Sequence, residues 1–322
     1  MPLPLAARRI LAKDRRALAR LISAVENRDP RAVATLRALY PMTGRARVIG
    51  LAGPLGVGKS SLLNALLAHL RSLGQTVGVI AVDPSSPFTG GSVLGDRIRI
   101  ERTPGDPGVF IRSMASRGHL GGIAAATLEV TRLLDAFGMD VILVETVGSG
   151  QVDVEIREVA STSVVVLVPH LGDEVQSLKA GLFEIADVFC VNKSDLPGAD
   201  LAAKDLRELV GLAPVGAAWR PRVVVASARE LRGIPELWAA IGAHEQFLDA
   251  EGARAQIDRR RLSAEILGLL MERTEREVGG LLREEPEFIR LVDRVVAREV
   301  DPHTAAERIL RAQIRPRPRG RG

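Results

Sequence analysis

Apolar positions recur with two different periods along this chain, and the change of period divides it. In residues 5–40, Leu18, Leu21, Ile22 and Val25 recur at helical spacing, and Asp29-Pro30 is a helix-start signal. This stretch predicts two helices. Pro41 to Gly44 breaks the pattern, and short apolar runs then alternate with amphipathic segments. Arg47–Ala52, Thr76–Val82, Val109–Arg112, Val141–Val144, Val164–Val168, Asp187–Val191 and Arg222–Ala226 read as strands. Lys59–Ser72, Gly122–Phe137 and the stretches near 174–185, 200–210 and 234–248 read as helices, and Asp83 to Gly95 is a Gly/Ser/Pro-rich loop. Strands alternating with helices predict an α/β fold: a mostly parallel central sheet flanked by helices on both faces. From Glu251 onward no strand signal remains. Ala253–Arg283, Pro286–Arg298 and His303–Gln313 read as helices. The expected organisation is an N-terminal helical extension (1–44), an α/β domain (45–250), a C-terminal helical arm (251–314) and a disordered Arg/Pro tail (315–322).

Composition sharpens this picture. Of 322 residues, 46% are hydrophobic but only 3% aromatic, so Val, Leu, Ile and Ala must fill the core, as suits a parallel sheet buried on both faces. The single cysteine, Cys190, lies in an apolar run and excludes a disulfide framework and a cysteine-based metal site. The net charge is +5, but the tail Arg315-Pro-Arg-Pro-Arg-Gly-Arg-Gly322 carries +4 of it, which leaves the body close to neutral and argues against nucleic-acid binding. Met1 to Arg20 holds six Lys/Arg residues and no continuous apolar segment, so it does not read as a secretory signal. No run approaches the ~20 apolar residues needed to cross a bilayer. A cytoplasmic protein is expected.

The chemistry begins after the first strand. Gly53-Pro-Leu-Gly56-Val57-Gly58-Lys59-Ser60-Ser61 fits the P-loop pattern, between a strand and a helix as that pattern requires. Backbone N–H groups and the helix N-terminus cradle phosphates. Lys59 is expected to reach the β- and γ-phosphates, and Ser60 to ligate Mg²⁺. The run Asn192-Lys193-Ser194-Asp195 follows a later strand. The Asp195 carboxylate matches the N1–H and N2–H₂ donors of guanine, a donor pair that adenine lacks, so GTP is the expected ligand. Ser227-Ala228, after the next strand, is expected to offer a backbone N–H to the guanine oxygen. Asp83, Asp96 and Glu145 are the candidate metal carboxylates, some acting through water because Mg²⁺ keeps several. No glutamine follows Gly148 directly, and Gln151 lies three further on. A slow intrinsic hydrolysis rate, raised by a partner, is expected.

Three runs carry a wider resemblance: Ala81 to Asp96, Ser116-Arg-Gly-His-Leu-Gly-Gly122, and Val144-Glu-Thr-Val-Gly148. They resemble the MeaB/ArgK-type P-loop GTPases (methylmalonic aciduria type A protein-like), and the likeness covers nearly the whole chain. The resemblance implies a GTP-dependent chaperone that gates cofactor loading and protects an adenosylcobalamin-dependent acyl-CoA mutase, methylmalonyl-CoA mutase above all. It implies an adenosyltransferase as a further partner and a homodimer held partly by the C-terminal arm. It places Asp83, Asp96 and Glu145 at the family's Mg²⁺ and switch positions. It makes Gly172 to Lys179 a third, mutase-contacting switch, with Lys179 helping to organise the activated GTPase site. The chain departs from the family pattern at Val147-Gly-Ser-Gly-Gln-Val-Asp153 and Pro169-His-Leu-Gly-Asp-Glu174, both switch segments, which opens the partner to other acyl-CoA mutases.

Other readings use the same motifs. A metal-insertion GTPase needs Cys/His ligands, and His69, His119, His170, His244 and His303 show no ligand spacing. A P-loop kinase conflicts with guanine selection by Asp195. A nucleotide-gated scaffold would share every motif.

Overall fold

The computed structural model describes residues 3–84, 105–116, 122–146, 151–169, 180–212, 218–250 and 252–314. The N-terminal stretch forms three helices, α1 (Leu5–Leu11), α2 (Arg15–Glu26) and α3 (Pro30–Leu39), where the hydrophobic period predicts two. The extra break falls at Lys13, whose φ is +62°, and at Asp14, whose side chain caps α2 by accepting from the Ala17 N–H at 3.0 Å. Capping of this kind satisfies an orphan amide and starts a new helix. At the expected Asp29-Pro30 start, Asp29 caps α3 through the Arg31 N–H.

The alternation that follows is β1 (Arg47–Ala52), α4 (Lys59–Ser72), β2 (Val77–Pro84), β3 (Val109–Ser116), α5 (Gly122–Ala136) and β4 (Val141–Thr146). It continues with α6 (Gln151–Val159), β5 (Thr162–Leu167), α7 (Ala180–Ile185), β6 (Val188–Val191), α8 (Ala199–Gly211), β7 (Arg222–Val225) and α9 (Ile234–Ala250). The sequence reading omits α6: Val152, Val154 and Ile156 alternate like a strand. Ile156 and Val159 nevertheless share the buried stripe of a helix that packs on β1, and Ala160 just after it is buried too.

The seven strands form one sheet in the order β3-β2-β4-β1-β5-β6-β7, and every recorded strand pair is parallel. Residues of β1, β4, β5 and β6 alternate between two apolar layers. One is closed by α4 and α9, the other by α5, α6, α7 and α8, with α1–α3 as an outer layer on α5. This is the expected α/β fold. Parallel order puts the C-terminal ends of all seven strands on one edge of the sheet, where such folds bind ligands.

The opposite edge holds a buried polar network. Glu245 of α9 accepts from Thr162 Oγ1 (2.5 Å) and Ser161 Oγ (2.7 Å) with one oxygen and pairs with Arg254 (2.8 Å) with the other. His244 lies beside Trp219, their ring centroids 4.8 Å apart, and its Nδ1 is 2.9 Å from Thr162 Oγ1. Burial holds the His244 imidazole down to about 4, outweighing the Glu245 carboxylate beside it. Between its unfolded value of about 6.5 and that folded value, the unfolded chain binds a proton that the folded chain refuses, so stability is lost as pH falls through this window. The expected loss is about 3 kcal/mol once the pH is below both values, of which about 2 kcal/mol falls between pH 7 and pH 4.5. Urea titrations from pH 7 to pH 4.5 check it. His244→Gln should flatten the slope, and a slope unchanged in that variant would remove His244 as its source.

The chain divides into two compact units, Met1–Asp258 and Arg259–Gly322. Helix α10 (Ala253–Glu284) spans the division, followed by α11 (Pro286–Val296) and α12 (Pro302–Ile314), which pack around Leu291, Val300 and Ala305. Among the described residues, no helix is long and apolar enough to cross a membrane.

Candidate functional site

The loop between β1 and α4 is shaped by its glycines. Gly53 has φ +140°, and a Cβ there would strike the Val166 carbonyl of β5. Gly58 has φ +89°, and a Cβ there would stand 2.6 Å from the Asn192 amide nitrogen. Both positions combine a left-handed backbone with a close approach, which only glycine tolerates. Gly58 is also the N-cap of α4 and supplies no side-chain cap, so the first amides of that helix face the loop. Such a terminus suits an anion.

Lys59, in the first turn of α4, is buried. Its Nζ donates to the carbonyls of Gly53 (2.6 Å) and Pro54 (2.9 Å), which hold the ammonium against the loop it closes. The next residue, Ser60, donates from Oγ to Glu145 Oε1 at 2.5 Å. These two lie 85 residues apart and meet because β4 is the neighbour of β1, with Leu51 level with Glu145. Glu145 is itself buried at the end of β4. A hydroxyl and a carboxylate in contact beside a phosphate-binding loop are hard oxygen donors that suit Mg²⁺. Asp83 lies two residues beyond Ala81, which is level with Glu145, so its backbone sits about 7 Å further along the sheet. The Asp83 side chain, Asp96, and the segment from Gly172 to Lys179 lie outside the described residues, as do His119, His170 and the Arg/Pro tail. Among the described residues no group of three His, Cys, Asp or Glu is arranged to hold a metal ion.

The second part of the site follows β6 and β7. Asn192 is almost wholly buried. Its Nδ2 donates to the Val57 carbonyl in the phosphate loop (2.9 Å), and its Oδ1 accepts from the Ala228 N–H (3.1 Å). The side chain therefore ties the phosphate loop to the loop after β7, and both ends of its carboxamide are occupied by backbone. The sequence reading groups Asn192 with the nucleotide contacts; the bridging geometry depends on strand order and left no local signal. Lys193 has φ +57°, and its Nζ donates to the Gly56 carbonyl at 2.7 Å. A non-glycine residue in this conformation is uncommon and collects at functional sites.

Asp195 accepts from Ser227 Oγ at 2.7 Å. That bond, a backbone N–H and the nearby Arg229 and Arg232 hold its carboxyl below the usual carboxylate range. It is therefore an ionised acceptor at neutral pH. Ser227 in turn accepts from the Glu230 N–H (3.2 Å), so its own proton is directed at Asp195. Of the expected site residues, the structure thus brings together Gly53, Gly56, Val57, Gly58, Lys59, Ser60, Glu145, Asn192, Lys193, Asp195, Ser227 and Ala228 on one edge of the sheet. Ser61 follows Ser60 in α4.

The family model described as "Methylmalonyl Co-A mutase-associated GTPase MeaB" matches residues 18–280. A GTPase of Pyrococcus abyssi is 48% identical over 306 residues, 94% of each chain. The GTPase ArgK of Escherichia coli K12 is 39% identical over 279 residues, 84% of this chain and 83% of that one. Among solved structures, an LAO/AO transport system kinase superposes with a TM-score of 0.68 at 29% identity, covering 95% of both chains.

Proposed function

Because the chain belongs to the MeaB family of P-loop GTPases, which bind and hydrolyse GTP, we propose that it uses that hydrolysis as a cytoplasmic chaperone of an adenosylcobalamin-dependent acyl-CoA mutase. The mutase is methylmalonyl-CoA mutase or a relative of it, and the nucleotide state gates cofactor loading, with an adenosyltransferase as donor. The observation that carries the switch reading is the Asn192 bridge. The residues facing the phosphates and those facing the base are parts of one hydrogen-bonded assembly, so a change at the phosphates is felt by the loops around it. The mutase partner rests on the family description.

In this reading Asp195 accepts from guanine N1–H and N2–H₂, and the Ala228 loop faces the guanine oxygen. The amides of Gly56 to Ser61 surround the phosphates. Lys59 turns its ammonium from the loop carbonyls toward the β- and γ-phosphates and stabilises the charge that develops as water attacks the γ-phosphorus and the bond to GDP breaks. Ser60 and Glu145, with Asp83 and Asp96, would hold Mg²⁺, which when bound would neutralise phosphate charge. Lys179 completes the site when the mutase docks, and so the unassisted rate is slow. The C-terminal arm pairs two copies; exposed Ile266, Leu267, Leu269, Leu270 and Met271 on α10 support that role.

Adding the cognate mutase should raise GTP turnover by at least about tenfold, well short of the roughly 10³–10⁵ that an arginine finger supplied by a partner contributes. Phosphate release measured against a panel of purified acyl-CoA mutases tests it. Failure of every mutase to bind or accelerate the GTPase would remove the chaperone reading and leave the GTPase intact.

A further inference from the structure

Charge is divided along this chain. Residues 1–47 hold eleven Arg or Lys and three Asp or Glu, a net +8. With +5 for the whole and +4 in the tail, residues 48–314 carry −7. The near-neutral body is therefore a basic N-terminal stretch set on an acidic remainder. Each acid of that stretch is already committed. Asp14 caps α2 and pairs with Arg9 (2.6 Å), Asp29 caps α3 and pairs with Arg31 (2.7 Å), and Glu26 pairs with Arg112 of β3.

What remains is a surplus of guanidinium groups. Among the described residues, Arg8 of α1, Arg16 and Arg20 of α2 and Arg37 of α3 are exposed and pair with no carboxylate. Leu18, Leu21, Ile22 and Val25 turn one side of α2 into the core, and Arg16 and Arg20, one turn apart, stand on the opposite side. Like charges at that spacing repel and weaken a helix. The fold makes no use of them there, whereas an acidic surface would: opposed charge steers two proteins together and fixes their register. Arginine suits that task, because its planar fork meets a carboxylate through two N–H donors. Helix α2 keeps its apolar side in the core, so it has no wedge to set into a bilayer. Tyr40 is the one aromatic side chain in residues 1–47, and its ring already faces Arg132, which leaves little for a nucleic-acid base to stack on.

We propose that the outer face of α2, flanked by Arg8 of α1 and Arg37 of α3, is a docking surface for an acidic face of a partner protein, the mutase of the proposed function. The proposal rests on that reading of the partner. It gives the helices before the sheet a part in partner recognition, separate from the nucleotide site.

The test measures the association rate of the full-length chain with each purified acyl-CoA mutase, by interferometry, at about 0.05 M and about 0.3 M salt, where charges are screened weakly and strongly. Arg16→Glu with Arg20→Glu should associate about tenfold more slowly at the lower salt, and the difference should shrink at the higher. Its GTP turnover without mutase should match the wild type, and Arg16→Gln with Arg20→Gln should fall between the two in association rate. Lys204→Glu with Arg207→Glu on α8 changes the net charge equally and should associate as the wild type does. Equal slowing by the α8 pair would make the effect one of net charge, and unchanged association of the α2 variants would remove the docking face. Either result overturns the proposal and leaves the mutase reading in place. If the wild type binds no mutase, that reading falls and the proposal with it. If RNA, phosphatidylserine vesicles or a second copy of the chain, and not the mutase, discriminates between wild type and the α2 variants, the face has another occupant and the proposal is overturned.

Discussion

Lys59→Ala is expected to reduce GTP affinity by at least about a hundredfold while the chain stays folded. A charge-assisted hydrogen bond to phosphate contributes about 1.5–3 kcal/mol, and two such bonds make a factor of 10² or more. Among the described residues, no neighbour can substitute. Lys59 opens α4 immediately after Gly58, and its ammonium is already drawn into the loop by the Gly53 and Pro54 carbonyls. The other lysine among the described residues of the site, Lys193, is committed to the Gly56 carbonyl. The fold should survive, because the apolar residues of α4 that pack the sheet, Leu62, Leu63, Leu66 and Leu70, are untouched. Titration calorimetry with Mg²⁺·GTP, alongside a melting curve, measures both. Wild-type affinity in a folded Lys59→Ala protein would end the phosphate-loop assignment.

Asp195→Asn should exchange guanine for xanthine preference, with GTP affinity falling about a thousandfold and XTP gaining correspondingly. A site built to receive two donors rejects a base that cannot supply them, and conversely an amide in place of the carboxylate offers a donor to the 2-carbonyl of xanthine. Ser227 decides which way that amide faces. Its hydroxyl accepts from the Glu230 N–H and keeps its proton for residue 195, so the asparagine oxygen must turn toward Ser227 and its nitrogen toward the base. Displacement of a fluorescent nucleotide by GTP, XTP and ATP reads the change. Retained GTP selectivity would show that the purine is recognised by some other group.

Both variants concern residues legible without a structure, because their signals are local. Gly53 to Ser60 encodes a backbone conformation within eight residues, and Asn192 to Asp195 follows directly on its strand. The parallel α/β fold was legible for a related reason: β-branched runs alternating with amphipathic segments leave few ways to bury both faces of a sheet. Misreadings arose where local signals compete. The Lys13–Asp14 break was lost within one continuous helical period, and α6 was lost because its apolar residues also alternate like a strand. The Arg112–Glu26 pair left no trace at all, since 86 residues separate its members and each reads alone as a surface charge.

The amino-acid sequence by itself therefore determined the class of fold and marked the candidate phosphate and guanine segments, each of those segments a few consecutive residues. Only the tertiary structure decided that Ser60 meets Glu145, that Asn192 joins the two loops, and that Arg112 of β3 pairs with Glu26 of α2. Those contacts follow from a strand order of 3-2-4-1-5-6-7, in which chain neighbours are separated and distant segments made adjacent. That order is set by the burial of the whole sheet, which no single segment encodes.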